Sequence, residues 1–302
     1  MSRSRILVPI DFSPQSDAAL EFARPLATKL NAMISCMFVI EEQGLLADKK
    51  AAEKLKHKLR REAENQLSVR VNSILTKEEK TPFEIIVTSG KVHQKVLEKS
   101  IDLKAQMIVM GRSHSSSIHT TGLGSNAKRI ISNSLIPVIT VGPQKIDKRK
   151  HLILPLDLSK PYSEQLNWAI ESALLLGASA SVLAVIEKGR SGLRPVYLKK
   201  LKEIECVLSE SNIECDTHLL ENQSTISREI VSFSDRTEFG MILLIPYQKT
   251  ESSGSYLGSI TEEVLSKTEV PVLYIKPRNK FGLSLDRSSR YFQPIYPSRV
   301  TL

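Results

Sequence analysis

Apolar residues come in short runs separated by longer segments whose apolar positions recur every three or four residues. Arg5-Ile-Leu-Val-Pro-Ile10 reads as a strand, closed by the turn Asp11-Phe-Ser-Pro, with Ser13 as N-cap and Pro14 as the first helical residue. The helix carries Ala18, Ala19, Phe22, Ala23, Leu26 and Leu30 on one face, and Pro25 predicts a kink or an early end. Met33 to Val39 is the next strand. A charged helix follows, in which Leu55, Leu59, Ala63, Leu67 and Val71 recur every four residues as an inward stripe. Glu84 to Thr88 is a third strand, and Val92, Val96, Leu97 and Ile101 mark another helix. Met107 to Met110 is a fourth strand, and Val138 to Val141, after Pro137, a fifth. This alternation of strand and helix predicts an α/β fold with a parallel sheet covered on both faces.

The second half repeats the first. Residues 5–13, RILVPIDFS, align with 151–159, HLILPLDLS, at an offset of 146, and Gly124-Ser125 align with Gly258-Ser259 at 134. The twelve missing residues fall in the second counterpart of the long charged helix, where Gly189 to Pro195 replace part of it. Pro137-Val138 also fall on Pro271-Val272, so the chain is a tandem duplication. The predicted domains are 1–145 and 146–277, followed by a tail, 278–302. That tail is basic, with three aromatics among its residues 291–296, and is expected to wrap over a domain or a partner.

Chemistry concentrates between the fourth strand and the fifth. After Gly111, eleven of the next twelve residues are Arg, Ser, His, Thr, Gly or Leu, and Gly124 and Ser125 then open a helix. Ser125 or Asn126 would cap it, and Ala127, Ile130 and Ile131 give it an apolar stripe. The first amides of a helix have no partner within it, and the macrodipole adds positive charge, so phosphate oxygens can be held there by backbone alone.

The spacing of Gly111, position 114 and Gly124-Ser125 resembles the G-x-x-G-(nine residues)-G-(Ser/Thr) signature of the ATP-binding universal stress proteins. His114 stands where that family has its second glycine. The resemblance covers both halves. It implies two tandem Rossmann-like domains of the adenine nucleotide alpha hydrolase type, each a five-stranded parallel sheet of order 3-2-1-4-5. The two would pack as an internal pseudo-dimer, with Val138 to Val141 lying against Val272 to Ile275. That strand order opens a crevice at the carboxyl ends of strands one and four. By resemblance, Pro9 and Asp11 line the adenosine end, Val39 offers backbone contacts to adenine, and Gly111, Gly124, Ser125 and Asn126 hold ribose and phosphates, with His114 accommodated beside them. The implied cofactor is ATP, with or without magnesium. Arg112 and Lys128 either add charge to the phosphates or are solvated surface. In the second domain Ile245 and Gln248 replace the two glycines, so that site is expected to be empty or repurposed.

Composition narrows the alternatives. With 41% hydrophobic residues and no apolar run near about 18 residues, nothing is expected to span a membrane. The apolar run from Ile6 stops at Asp11, too short for a secretory signal, so a cytoplasmic location is expected. Cys36, Cys206 and Cys215 form no C-x-x-C pair and are expected to be free buried thiols, and the six histidines show no metal-ligand spacing. No nucleophile-base pair or hydrolase motif is present, which argues for a sensor or regulatory module with at most slow ATP hydrolysis. The competing function is a nucleotide-free scaffold acting through protein contacts. Residues 1–145 carry 22 Lys and Arg against 14 Asp and Glu, whereas 146–277 carry 15 against 18. Much of the excess lies in 49–61, KKAAEKLKHKLRR, with Lys50, Lys54, Lys58 and Arg61 on one face. Without interleaved aromatics this reads as a solvated face ahead of a nucleic-acid site.

Overall fold

The computed structural model describes residues 3–41, 49–75, 81–112, 123–142, 151–221, 224–236, 240–246 and 257–276. The first repeat contains β1 (Arg5–Pro9), α1 (Pro14–Leu30), β2 (Met33–Ile40), α2 (Lys49–Leu75), β3 (Phe83–Ser89), α3 (Val92–Asp102), β4 (Met107–Gly111), α4 (Ser125–Asn133) and β5 (Val138–Val141). The second contains β6 (His151–Leu156), α5 (Ser163–Leu176), β7 (Ser179–Ile186), α6 (Arg194–Glu210), β8 (Cys215–Glu221), α7 (Ile226–Arg236), β9 (Met241–Leu244), α8 (Ser259–Lys267) and β10 (Val272–Tyr274).

Two compact units result, and they do not follow the repeat boundary. One comprises Met1–Asp147 with Thr250–Lys276, and Lys148–Lys249 belong to the other. In the first unit the strands run β3-β2-β1-β4-β5-β10. The first five are parallel, in register from Arg5↔Met33 to Pro9↔Met37 across β1 and β2 and from Ile108↔Val138 to Gly111↔Val141 across β4 and β5. Ile6, Leu7, Val8, Ile108 and Val109 are wholly buried, as strands covered on both faces must be. The sixth strand, β10, lies antiparallel on β5, pairing Val272 with Thr140, Leu273 with Ile139 and Tyr274 with Val138.

In the second unit four parallel strands run β9-β6-β7-β8. The expected order 3-2-1-4-5 is therefore present in the first unit. As expected for Val138 to Val141 and Val272 to Ile275, β10 covers the apolar edge of β5, which would otherwise stand open. The twelve-residue gap is visible as a shortened helix: α6 has 17 residues where α2 has 27.

Three local expectations change. Helix α1 runs through Pro25 to Leu30, because Pro25 sits on the exposed side, where water can serve the carbonyl that loses its amide. Ser13 caps it by accepting from the Ser16 amide at 3.2 Å. In α2, Ala63, Leu67 and Val71 are buried, but Leu55 and Leu59 lie in solvent, since the helix outruns the sheet it packs on. All three cysteines are free as expected, yet only Cys36 is buried, and Cys206 is exposed.

Candidate functional site

The order of β1 and β4 sets the site. From β1 the chain crosses to β2 on one side, and from β4 to β5 on the other, so the crevice lies at the carboxyl ends of these two neighbouring strands. Pro9 ends β1 opposite Met37, and the Ile10 amide donates to the Met37 carbonyl at 2.8 Å. Asp11 follows in solvent, its Oδ1 accepting from the Ser13 amide at 3.0 Å and from the Ser13 hydroxyl. Asp157 and Ser159 build the same turn after β6. In both repeats this carboxylate thus holds the turn that follows the strand through one of its two oxygens.

Phe12, between these residues, takes φ 63°, a conformation unusual for a bulky residue, and its ring meets that of Phe38 at 4.9 Å. This half-buried aromatic pair beside the β1 and β2 ends was not anticipated from the sequence; an aromatic following Asp11 was the available signal. Val39 is buried near the end of β2, paired with Thr88.

Gly111 ends β4 directly under the first turn of α1. A Cβ there would lie 2.5 Å from the Gln15 carbonyl carbon and 2.7 Å from the Ser16 amide nitrogen. This close packing requires glycine there. Arg112 is not solvated surface, and its guanidinium is taken up within the protein. It is 1% exposed, and its Nη2 donates to the Thr268 and Val270 carbonyls at 2.7 and 3.0 Å, while Nη1 reaches Thr140 Oγ1 at 3.3 Å. Burial lowers its pKa to about 10, with Glu269 pulling the other way, so it stays charged at neutral pH. The carbonyls that hold it lie more than 150 residues downstream, where no local pattern points to them.

Helix α4 begins at Ser125, with Gly124 as N-cap and no side-chain cap bond; Ser125 is thus the first helical residue and supplies no cap. The first turn contains no acidic residue. Ser125 is exposed, Asn126 half-exposed, and Lys128 Nζ donates to Glu262 at 2.6 Å. His114 lies outside the described residues. Among those described, no group of three His, Cys, Asp or Glu could hold a metal.

The counterpart elements differ. Gly258 caps α8 at φ 71°, whereas Gly124 sits at φ −54°, and Glu262 occupies the first turn of α8, where a carboxylate opposes an anion. Ile245 stands half-buried past β9. Lys200 donates to the Leu158 carbonyl at 2.7 Å, within 5.9 Å of the Tyr162 ring centroid.

A profile of the universal stress protein family matches residues 2–142 and again 148–276. The chain belongs to the universal stress protein family. It is 25% identical over 175 residues to the universal stress protein Slr1230 of Synechocystis, a match covering 57% of this chain and 59% of that relative. Among solved structures, a universal stress protein from Archaeoglobus fulgidus superposes with a TM-score of 0.70 at 19% identity, covering 91% of this chain and 99% of that one. A functionally unknown protein from Pseudomonas aeruginosa PAO1 gives 0.65 at 16%, covering 91% and 93%. These likenesses establish the fold over most of the chain. No helix among the described residues of this family member is long and apolar enough to cross a membrane.

Proposed function

We propose that the first repeat of this universal stress protein binds an adenine nucleotide, ATP, as a sensing or regulatory module in the cytoplasm. The observation that carries this reading is the start of α4. It follows β4 at the switch point, opens on a glycine without a side-chain cap, and has no acid in its first turn. The free amides of Ser125 and Asn126 would hold phosphate oxygens, with Gly124 leaving room for them. Pro9 and the second oxygen of Asp11 would face the ribose, and the backbone after Val39 the base, with Phe12 and Phe38 as an apolar wall. Arg112 is excluded from the phosphate set because its guanidinium is already engaged. His114 keeps its proposed place beside the phosphates.

The second repeat would not bind, since Glu262 repels an anion at α8 and Ile245 fills the strand end. Magnesium would enter with the triphosphate, and hydrolysis would be slow at most. The test is calorimetric titration of ATP with magnesium into the full chain, beside Gly124→Val and Ser259→Val. One binding event lost only in Gly124→Val is expected. No heat, and no nucleotide released on denaturing the purified protein, would overturn the reading in favour of a scaffold acting through protein contacts.

A further inference from the structure

Helix α2 carries two seams. One, with Ala63, Leu67, Val71 and Ile74, is buried against the sheet. The other runs through Leu55, Leu59, Glu62, Gln66 and Val69 at spacings of four, three, four and three, the spacing by which one helix seats another. Every one of these five residues is exposed, with Leu55 at 44%, Leu59 at 40% and Val69 at 72%. A 27-residue helix thus buries one side and presents a second, heptad-spaced side to solvent.

The charge beside this seam is one-sided. Residues 49–61 hold seven Lys and Arg against the single Glu53, and by position Lys56 and Lys58 flank Leu55 and Leu59. Lys58 is 72% exposed, with a 3.8 Å contact to Glu62, and Arg60 pairs with Glu64. We propose that this outer seam docks an acidic amphipathic helix of a partner protein, with apolar residues on the leucines and carboxylates on the flanking cations.

Charge excludes the nearer alternatives. A second copy aligned in parallel would set 49–61 against itself. An antiparallel copy would set it against 62–75, where Glu62 and Glu64 against Arg70 leave one net negative charge, too little to complement seven cations. The tail, 278–302, is basic and cannot complement it. Nucleic acid would satisfy the cations but leave the leucines in water.

The probe is a labelled synthetic three-heptad peptide with leucine at the seam positions and glutamate at the flanking ones, whose own acids keep it from self-pairing. Its binding to the full-length protein is followed by fluorescence anisotropy. Binding is expected, weakened at least about tenfold by Leu55→Ser with Leu59→Ser and also by Lys58→Glu. A control peptide with lysine at the flanks should not bind. Because the two leucines are exposed, the double variant should keep the parent melting temperature. The proposal is overturned if the acidic peptide does not bind, if its seam-serine version binds equally well, or if duplex DNA binds more tightly and regardless of the leucine changes.

Discussion

Arg112 Nη2 lies 2.7 Å from the carbonyl oxygen of Thr268, joining the end of β4 to the segment that leads into β10. The same nitrogen reaches the Val270 carbonyl, and Thr268 is itself wholly buried. Removing the guanidinium would take away both of these buried bonds. Arg112→Met is expected to cost about 2–4 kcal/mol of unfolding free energy. Arg112→Lys should recover only part, since one compact ammonium cannot replace the planar fork. Urea unfolding measures both. Calorimetry on the folded variant should leave ATP affinity unchanged; a selective loss of affinity would return Arg112 to the phosphates.

Gly111 makes a different kind of demand. The Cβ of an alanine there would sit 2.6 Å from the Gln15 carbonyl oxygen, so β4 or the first turn of α1 must move. Gly111→Ala should destabilise by about 1–3 kcal/mol, seen as a lowered denaturation midpoint with or without nucleotide.

The two Gly-Ser pairs should respond differently to alanine. Gly258 holds φ 71° and ψ 141°, with nothing within 4 Å of an added Cβ, so Gly258→Ala is penalised by conformation alone, by about 1–3 kcal/mol. Gly124, at φ −54° and ψ 145°, occupies a region open to any residue, and Gly124→Ala should change stability by less than about 0.5 kcal/mol. Thermal melts of the two variants compare them directly.

His151 introduces a pH dependence that its first-repeat counterpart lacks. At the matching position Arg5, a fixed cation, lies 3.2 Å from Glu84, which also accepts from Ser35 at 2.6 Å. His151 contacts the hydroxyls of Ser179 and Ser181, both at 2.7 Å, and Ser181 bonds Asp216, which His218 meets at 2.9 Å. Burial lowers the His151 pKa; Asp216 and Glu214 raise it and His218 lowers it, leaving a net decrease from 6.5. A folded-state value below the unfolded one means that acid favours the unfolded chain. The contribution of His151 is complete above 6.5 and declines as the pH falls below it. Burial raises the Asp216 carboxyl, but bonds from Ser181 and His218 outweigh it and hold it below 3.8, so its contribution fades only in stronger acid. The urea midpoint should therefore drop between neutral and mildly acidic pH, and His151→Gln should flatten that drop. An unchanged slope in His151→Gln would remove the imidazole as its cause.

Features carried by neighbours along the chain were legible in the sequence. The period of apolar residues located the strands and helices, Ser13 and Pro14 marked the start of α1, and matched landmarks revealed the duplication. Gly111 and Gly124 were singled out, but the spacing that marked them says nothing of what each meets in space. The folded chain adds that Gly111 lies under α1, that Arg112 is consumed by carbonyls of the other repeat, and that β10 runs antiparallel to β5 with Val272 against Thr140. It also decided that Leu55 and Leu59, at the same period as the buried Leu67, remain in solvent. The physical reason is common to all four. Helical and strand periods state which residues share a face, whereas burial and long-range pairing depend on which distant surface reaches that face, and no local pattern encodes that.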